Sequence, residues 1–278
     1  MKSKLKIPFF NATTFCPFIL ATLGISGGIG FAAGTASDMA SNYSGGGWGT
    51  TPPNNGSGFG AWNISLANAN NPPYVGTYLD TGSAVAIAGN SWGIYANGSP
   101  GNGAITLTRP FTAGLSGATS LYNQTFSFEL ASGGVGPSQG LLTALIGNAF
   151  SLSYNGAGSD NFLLSVDGGT AVTVPVGYSS LSAGLAISLT VSGPVSSTSE
   201  AYTLTVSPFA GGSPLYSNSG TFDSSSFNTA SFVFTDANTT GNSYLNGLSI
   251  SPEVVPEPSS LALCGISGLA ILHLIRRR

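Results

Sequence analysis

The sequence predicts an all-β protein, an antiparallel two-sheet sandwich of jelly-roll topology. Three observations carry this reading. Apolar and polar residues alternate with period two in many short runs, the mark of strands with one face in a core and the other in water. β-Branched and aromatic residues fill those runs and suit a pleated, half-buried surface. Gly, Asn, Asp and Pro punctuate them at short intervals and supply the backbone angles that tight turns need.

Taken in order, strands are expected at 61–66, 91–96 and 104–109. Phe126, Phe128 and Leu130 then alternate with Ser127 and Glu129. Strands at 141–145, 150–154, 162–166 and 171–176 follow; 141–149 is the one stretch with a modest helical alternative. Leu185, Ile187, Leu189 and Val191 alternate with small and hydroxyl residues, as do Tyr202, Leu204 and Val206. The last strands are expected at 219–222, 232–234 and 244–251. Turns are expected at Asn97-Gly98, Asn155-Gly156, Asp167-Gly168-Gly169, Gly193-Pro194, Gly211-Gly212 and Asn242-Ser243. Ahead of the sandwich (61–251), residues 37–60 are dense in Gly, Pro and Asn and read as a flexible segment, with Trp48 and Phe59 available to pin it.

Both ends carry targeting features. Lys2, Lys4 and Lys6 precede an apolar stretch over 7–31, and Ala32, Ala33, Gly34 and Ala36 follow. This is the pattern of a secretory signal peptide occupying 1–36, with its helix centred on 15–25. Cleavage is preferred after Ala36, with Ala33 as the competing site. Residues 252–278 contain Pro256-Glu257-Pro258, an uncharged run over 261–275, then Arg276, Arg277 and Arg278. As a helix that run would rise ~22 Å, short of a ~30 Å hydrocarbon core, which suits a temporary anchor. The arginines should stay cytoplasmic. The two prolines hold the motif extended, a form a protease can grip.

That motif, hydrophobic span and basic end, in this order, resemble the C-terminal sorting signal of the PEP-CTERM family of bacterial exported proteins. The resemblance implies export, transient anchoring in the inner membrane and processing by an exosortase-type protease. It also implies a final place at the cell surface or outside the cell, in association with exopolysaccharide. It gives an address rather than an activity. The runs 58–64, 91–97, 109–111 and 244–250 are similar to the exported domain of many such proteins, and this implies a concanavalin-A-like sandwich.

Charge and composition exclude several functions. All three lysines and three of the four arginines lie in the two end segments. Residues 37–254 keep only Arg109 against nine Asp and Glu, a net of −8. Such a surface repels nucleic acid, so no nucleic-acid partner is expected. The cysteines, Cys16 and Cys264, and the single histidine, His273, also fall outside 37–254. The exported part therefore has no disulfide, and no Ser-His-Asp triad, Cys-His pair or usual zinc site. A sandwich glycosidase needs two carboxylates facing one sugar, and no close acidic pair stands between Asp38 and Glu200. Glu129, the one acid inside an alternating run, reads as a solvent-facing residue. No enzyme is expected.

Two binding chemistries remain. Asp160, Asn161, Asp167, Asp236 and Asn238 offer hard oxygens on loops, so calcium is the one cofactor the chain suggests, although no Asp-x-Asp-x-Asp loop exists. Turn-capping by these same residues is the plainer expectation. Aromatic rings can stack on sugar C–H faces. Of Trp48, Trp62, Tyr74, Tyr78, Trp92 and Tyr95, the tryptophans Trp62 and Trp92 are expected in the core. Tyr74 and Tyr78, beside Asn70-Asn71-Pro72-Pro73, are the expected glycan contacts.

Overall fold

The computed structural model describes residues 35–44, 48–49, 51–67, 75–96, 103–111, 124–133, 141–155, 160–194, 198–226, 231–237 and 241–252. The signal segment, the sorting motif and the hydrophobic tail lie outside these residues. Among the described residues no helix is long and apolar enough to cross a membrane.

Two antiparallel sheets face each other. The first holds β1 (Ala36–Asp38), β3 (Val75–Asp80), β4 (Ser91–Ala96), β6 (Gln124–Ser132), β11 (Leu185–Pro194), β12 (Ser199–Pro208), β13 (Tyr216–Asp223) and β15 (Asn242–Pro252), in the order β13-β12-β11-β6-β15-β4-β3. β1 pairs with β15 off this path, Ala36 opposite Ile250 and Asp38 opposite Leu248. The second holds β2 (Asn63–Ala67), β5 (Ala104–Pro110), β7 (Leu141–Ile146), β8 (Phe150–Asn155), β9 (Phe162–Val166), β10 (Val172–Val174) and β14 (Ser231–Ala237), in the order β10-β9-β8-β7-β14-β5-β2. Period-two alternation does what it predicts. Phe126, Phe128 and Leu130 of β6 meet Phe232 and Phe234 of β14 between the sheets, with Phe128 edge-on to Phe234 at 5.1 Å. The void among Phe128, Ile146, Phe150, Leu152 and Leu204 is about 10 Å³, room for one water, and wholly apolar. This part of the interior is a packed core with no space for a ligand.

The structure changes several expectations. Residues 37–60 are not a loose leader where they are described. β1 belongs to the first sheet, and Asp38, Tyr43, Trp48 and Phe59 are all buried. Two glycines there serve close packing: Gly58 has φ +71, and a Cβ on Gly56 would come within 2.7 Å of both Arg109 and Asp38. β3 was not expected, nor was the short helix α1 (Tyr178–Ala183). Asn242-Ser243 opens β15 instead of turning, and Gly193-Pro194 sits at the irregular end of β11. The Asp167-Gly168 turn is as expected, with φ +55 and +67 and the Gly169 amide donating to the Val166 carbonyl.

The lone arginine explains how the first segment is held. Arg109 on β5 and Asp38 on β1 are both 0% exposed, with Nη2 2.7 Å from Oδ2. The same Oδ2 accepts from the Tyr43 hydroxyl at 2.8 Å and from Trp62 Nε1 at 3.2 Å. The guanidinium also donates to the Gly60 carbonyl and lies over the Phe59 and Trp62 rings at 5.4 and 5.0 Å. Burial lowers the arginine's proton affinity, and the neighbouring Asp38 and Tyr43 oppose that loss. Trp48, Trp62 and Trp92 close the cluster, their centroids 5.2–5.5 Å apart.

One buried acid has no such partner. Glu200 points inward from β12, is 1% exposed, and neither carboxyl oxygen makes a hydrogen bond. Burial pushes it up to about 7 from the ordinary 4.5. The folded protein therefore keeps this proton between pH 4.5 and 7 while the unfolded chain releases it. Its contribution to stability is full below pH 4.5 and is lost as pH rises to 7, on the order of 2–3 kcal/mol in all. Urea unfolding of wild type and Glu200→Gln at pH 4.5 and 7.5 checks this. The variant should gain on wild type at the higher pH; an equal difference at both pH values would contradict the assignment.

Candidate functional site

The candidate site lies on the outer face of the first sheet, where β3, β4 and β15 run side by side. Trp92 and Ile94 of β4 point into the core, so Gly93 and Tyr95 point outward. Gly93 is directly opposite Tyr78 on one side and Tyr244 on the other. The two tyrosines meet above it, their hydroxyls 3.4 Å apart. A Cβ on Gly93 would come 2.6 Å from the Tyr78 ring, so glycine here makes room for the aromatic. Tyr95 covers Gly76 in the same way, where a Cβ would sit 2.5 Å from its hydroxyl.

The result is a tyrosine ridge. Tyr78 stands 6.2 Å from Tyr95 and 6.4 Å from Tyr244, centroid to centroid. The rings are inclined at 51° and 80°, so they form a corrugated edge. All three are half-buried, with one flank against the sheet and one toward water. Burial, then the bond to Tyr244, raises the Tyr78 hydroxyl well above its usual range, so it stays protonated. Asn242 Nδ2 donates to the Tyr244 hydroxyl at 3.5 Å, and Asp80 lies two residues beyond Tyr78 on the same face.

One pleat along β15 from Tyr244, Asn246 is fully buried and fully bonded. Its Oδ1 accepts from the amides of Ala40 and Gly247, and its Nδ2 donates to the carbonyls of Val85 and Asn90, each at 2.8–3.0 Å. This one side chain ties the 81–90 loop and the 40–42 turn to the sheet. Glu129 on β6 is opposite Asn246 and is not the freely solvated residue expected. Its carboxyl fills the space where a Cβ on Gly247 (φ +55) would stand, and its Oε2 is buried without a partner. Desolvation pushes Glu129 up to about 7.

The other expected residues fall as follows. Trp62 and Trp92 are core, 6% and 0% exposed, and Trp48 packs on both. Tyr74, Asn238, Pro256, Glu257, Pro258, Arg276, Arg277 and Arg278 lie outside the described residues. Of the expected calcium ligands that are described, Asp160, Asp167 and Asp236 are each engaged separately. Asp160 accepts from the Tyr154 hydroxyl and from the Tyr178 amide, capping α1. Asp167 accepts from the Asp223 amide and from the Ser226 hydroxyl, and Asp236 is buried on β14. Among the described residues no group of three or more His, Cys, Asp or Glu could hold a metal. Turn and cap chemistry accounts for Asp160 and Asp167. Tyr244 was missed, because nothing local ties it to a tyrosine 166 positions away. The only sequence signal was an outward-phased aromatic in an alternating strand.

No protein-family model matches the chain, and no curated protein does. Solved structures with a similar arrangement include a binding domain of botulinum neurotoxin DC in complex with rat synaptotagmin II. It shares 7% identity over 73% of this chain and 47% of that one, with a TM-score of 0.42. The chain thus spans under half of that domain's length. A lectin from Bauhinia forficata in complex with GalNAc matches at 10% identity over 69% and 98% of the chains, TM-score 0.35. The T. cruzi calreticulin globular domain matches at 12% identity over 76% and 95%, TM-score 0.36.

Proposed function

We propose that this is an exported, non-catalytic surface or matrix protein whose sandwich meets extracellular polysaccharide through the Tyr78–Tyr95–Tyr244 ridge. The ridge is the observation that carries the reading. It gathers three half-exposed rings and their hydroxyls on one open sheet face, built over glycines that make room for them. Rings present C–H-matching faces, and hydroxyls with Asn242 present hydrogen-bond donors and acceptors, the two things a sugar needs. The concanavalin-A-like, jelly-roll form of the sandwich belongs to the same reading. Catalysis is disfavoured by chemistry. Glu129 has no second acid opposite it, and residues 37–254 contain no His or Cys. Incubation with mixed polysaccharides should give binding without any release of reducing ends. Release that depends on Glu129 would overturn the non-catalytic assignment.

The ends fit this role. Thr35 precedes a strand antiparallel to β15, so the two ends of the described domain, near Ala36 and Pro252, lie side by side. Tyr244 stands six residues back from Ile250, ~20 Å along the strand, so the ridge is held away from the end that leads into the tail. Ala36 is buried in β1, which favours signal cleavage after Ala33 over Ala36. The exosortase-type protease and the inner membrane are the proposed processing partners. Replacing Glu257 by Ala should leave a membrane-bound precursor with its tail intact, read by cell fractionation and intact mass. Normal maturation of the variant would remove the sorting assignment.

A further inference from the structure

We infer that the tyrosine face selects uncharged glycans and rejects acidic ones, an inference that rests on the glycan-binding reading above. It follows from where the positive charge lies. Proteins hold uronate or sulfate groups through exposed Arg and Lys, whose charge-assisted bonds offset the cost of desolvating the anion. Between residues 37 and 254 the sequence has no Lys, no His and one Arg. That Arg109 is 0% exposed and bound to Asp38. The exported domain therefore offers no side-chain cation at its surface. The first described strand begins at Ala36, opposite Ile250 and ~20 Å along β15 from Tyr244, beyond a Debye length of ~8 Å at physiological salt.

The charge that does lie near the ridge is of the wrong sign for an acidic chain: Asp80 shares the outer face with Tyr78. Around it the sheet surface is hydroxyl-rich. Thr125 bonds Thr190 at 3.0 Å and Thr203 bonds Ser219 at 2.9 Å on the strands that continue the face. A polyanion would meet only repulsion there, whereas a neutral chain finds ring faces, phenol and amide groups, and hydroxyls. Charge complementarity thus narrows the occupant of this face to a neutral polysaccharide.

The test uses the full chain with Lys2, Lys4, Lys6, Arg276, Arg277 and Arg278 replaced by Gln, so that no cation outside residues 37–254 contributes. It is held in a detergent without a sugar headgroup and titrated with three neutral polysaccharides (laminarin, dextran, galactomannan) and two acidic ones (alginate, polygalacturonate). Each titration is run with and without EDTA and at two salt concentrations. Binding to at least one neutral chain, at least tenfold tighter than to either acidic chain and insensitive to salt, is the expected result. Its loss in Tyr78→Ala and Tyr244→Ala should follow. Acidic glycans bound as tightly as neutral ones, whether EDTA abolishes this or not, would overturn the selectivity while leaving glycan binding intact. Binding to neither class would overturn the glycan reading itself.

Discussion

Replacing Asp38 by Ala should destabilise the domain by about 3–5 kcal/mol, because it strands a buried charge. Arg109 is wholly enclosed, and its guanidinium has one anionic partner, 2.7 Å away. The substitution also removes the acceptor of the Tyr43 and Trp62 donors. At roughly 2–4 °C per kcal/mol for a domain of this size, the melting temperature should fall by about 10 °C or more. Asp38→Asn should fall between the two, since it keeps an acceptor and loses the charge. A double variant, Asp38→Ala with Arg109→Met, should recover much of the loss, because removing both charges is cheaper than removing one. Thermal unfolding of the four proteins checks this. A single Asp38→Ala variant within 1 kcal/mol of wild type would show that the pair does not hold the first segment down.

Trp62→Ala should cost a similar amount, about 3–5 kcal/mol. The indole is 6% exposed, donates to Asp38, lies beneath Arg109, and meets Trp48 and Trp92 edge-on, both at 5.2 Å. Its removal opens a cavity bordered by rigid rings that cannot collapse into it. The Asp38 and Trp62 effects should not add, since both act on one network.

These two residues show what the sequence makes legible. The strands around 126–130 and 185–191 could be read from alternation alone, because period two leaves no choice of face once Phe126, Phe128, Leu185 and Ile187 are apolar. The inward place of Trp92 follows from its phase with Ile94 on β4, whereas Trp62 precedes β2 and takes its place from Asp38 and Arg109. The glycines of 37–60 misled, because glycine serves both flexibility and close approach, and Gly56 and Gly58 serve the second. β3 was hidden by Gly76, which weakens a strand signal yet is needed beneath Tyr95. The Asp38–Arg109 pair spans 71 positions, and no local pattern joins its members. A solitary cation among nine acids was nonetheless a clue, since a lone Arg in a core must find a carboxylate. Half of the site, Tyr78 and Tyr95, was visible as an aromatic cluster. Tyr244 and Glu129 acquire their places only from the β15 register and its bulge.

The central claim is a division of labour, with the tryptophans holding the fold and the tyrosine ridge carrying the function. A paired thermal melt and neutral-glycan titration of Tyr78→Ala and Trp62→Ala, each in the full chain, tests it most directly. Tyr78→Ala should keep a melting temperature near wild type and bind at least tenfold more weakly, whereas Trp62→Ala should melt far earlier. If Trp62→Ala kept its melting temperature and lost only binding, while Tyr78→Ala bound normally, core and site would be interchanged and the account would fail.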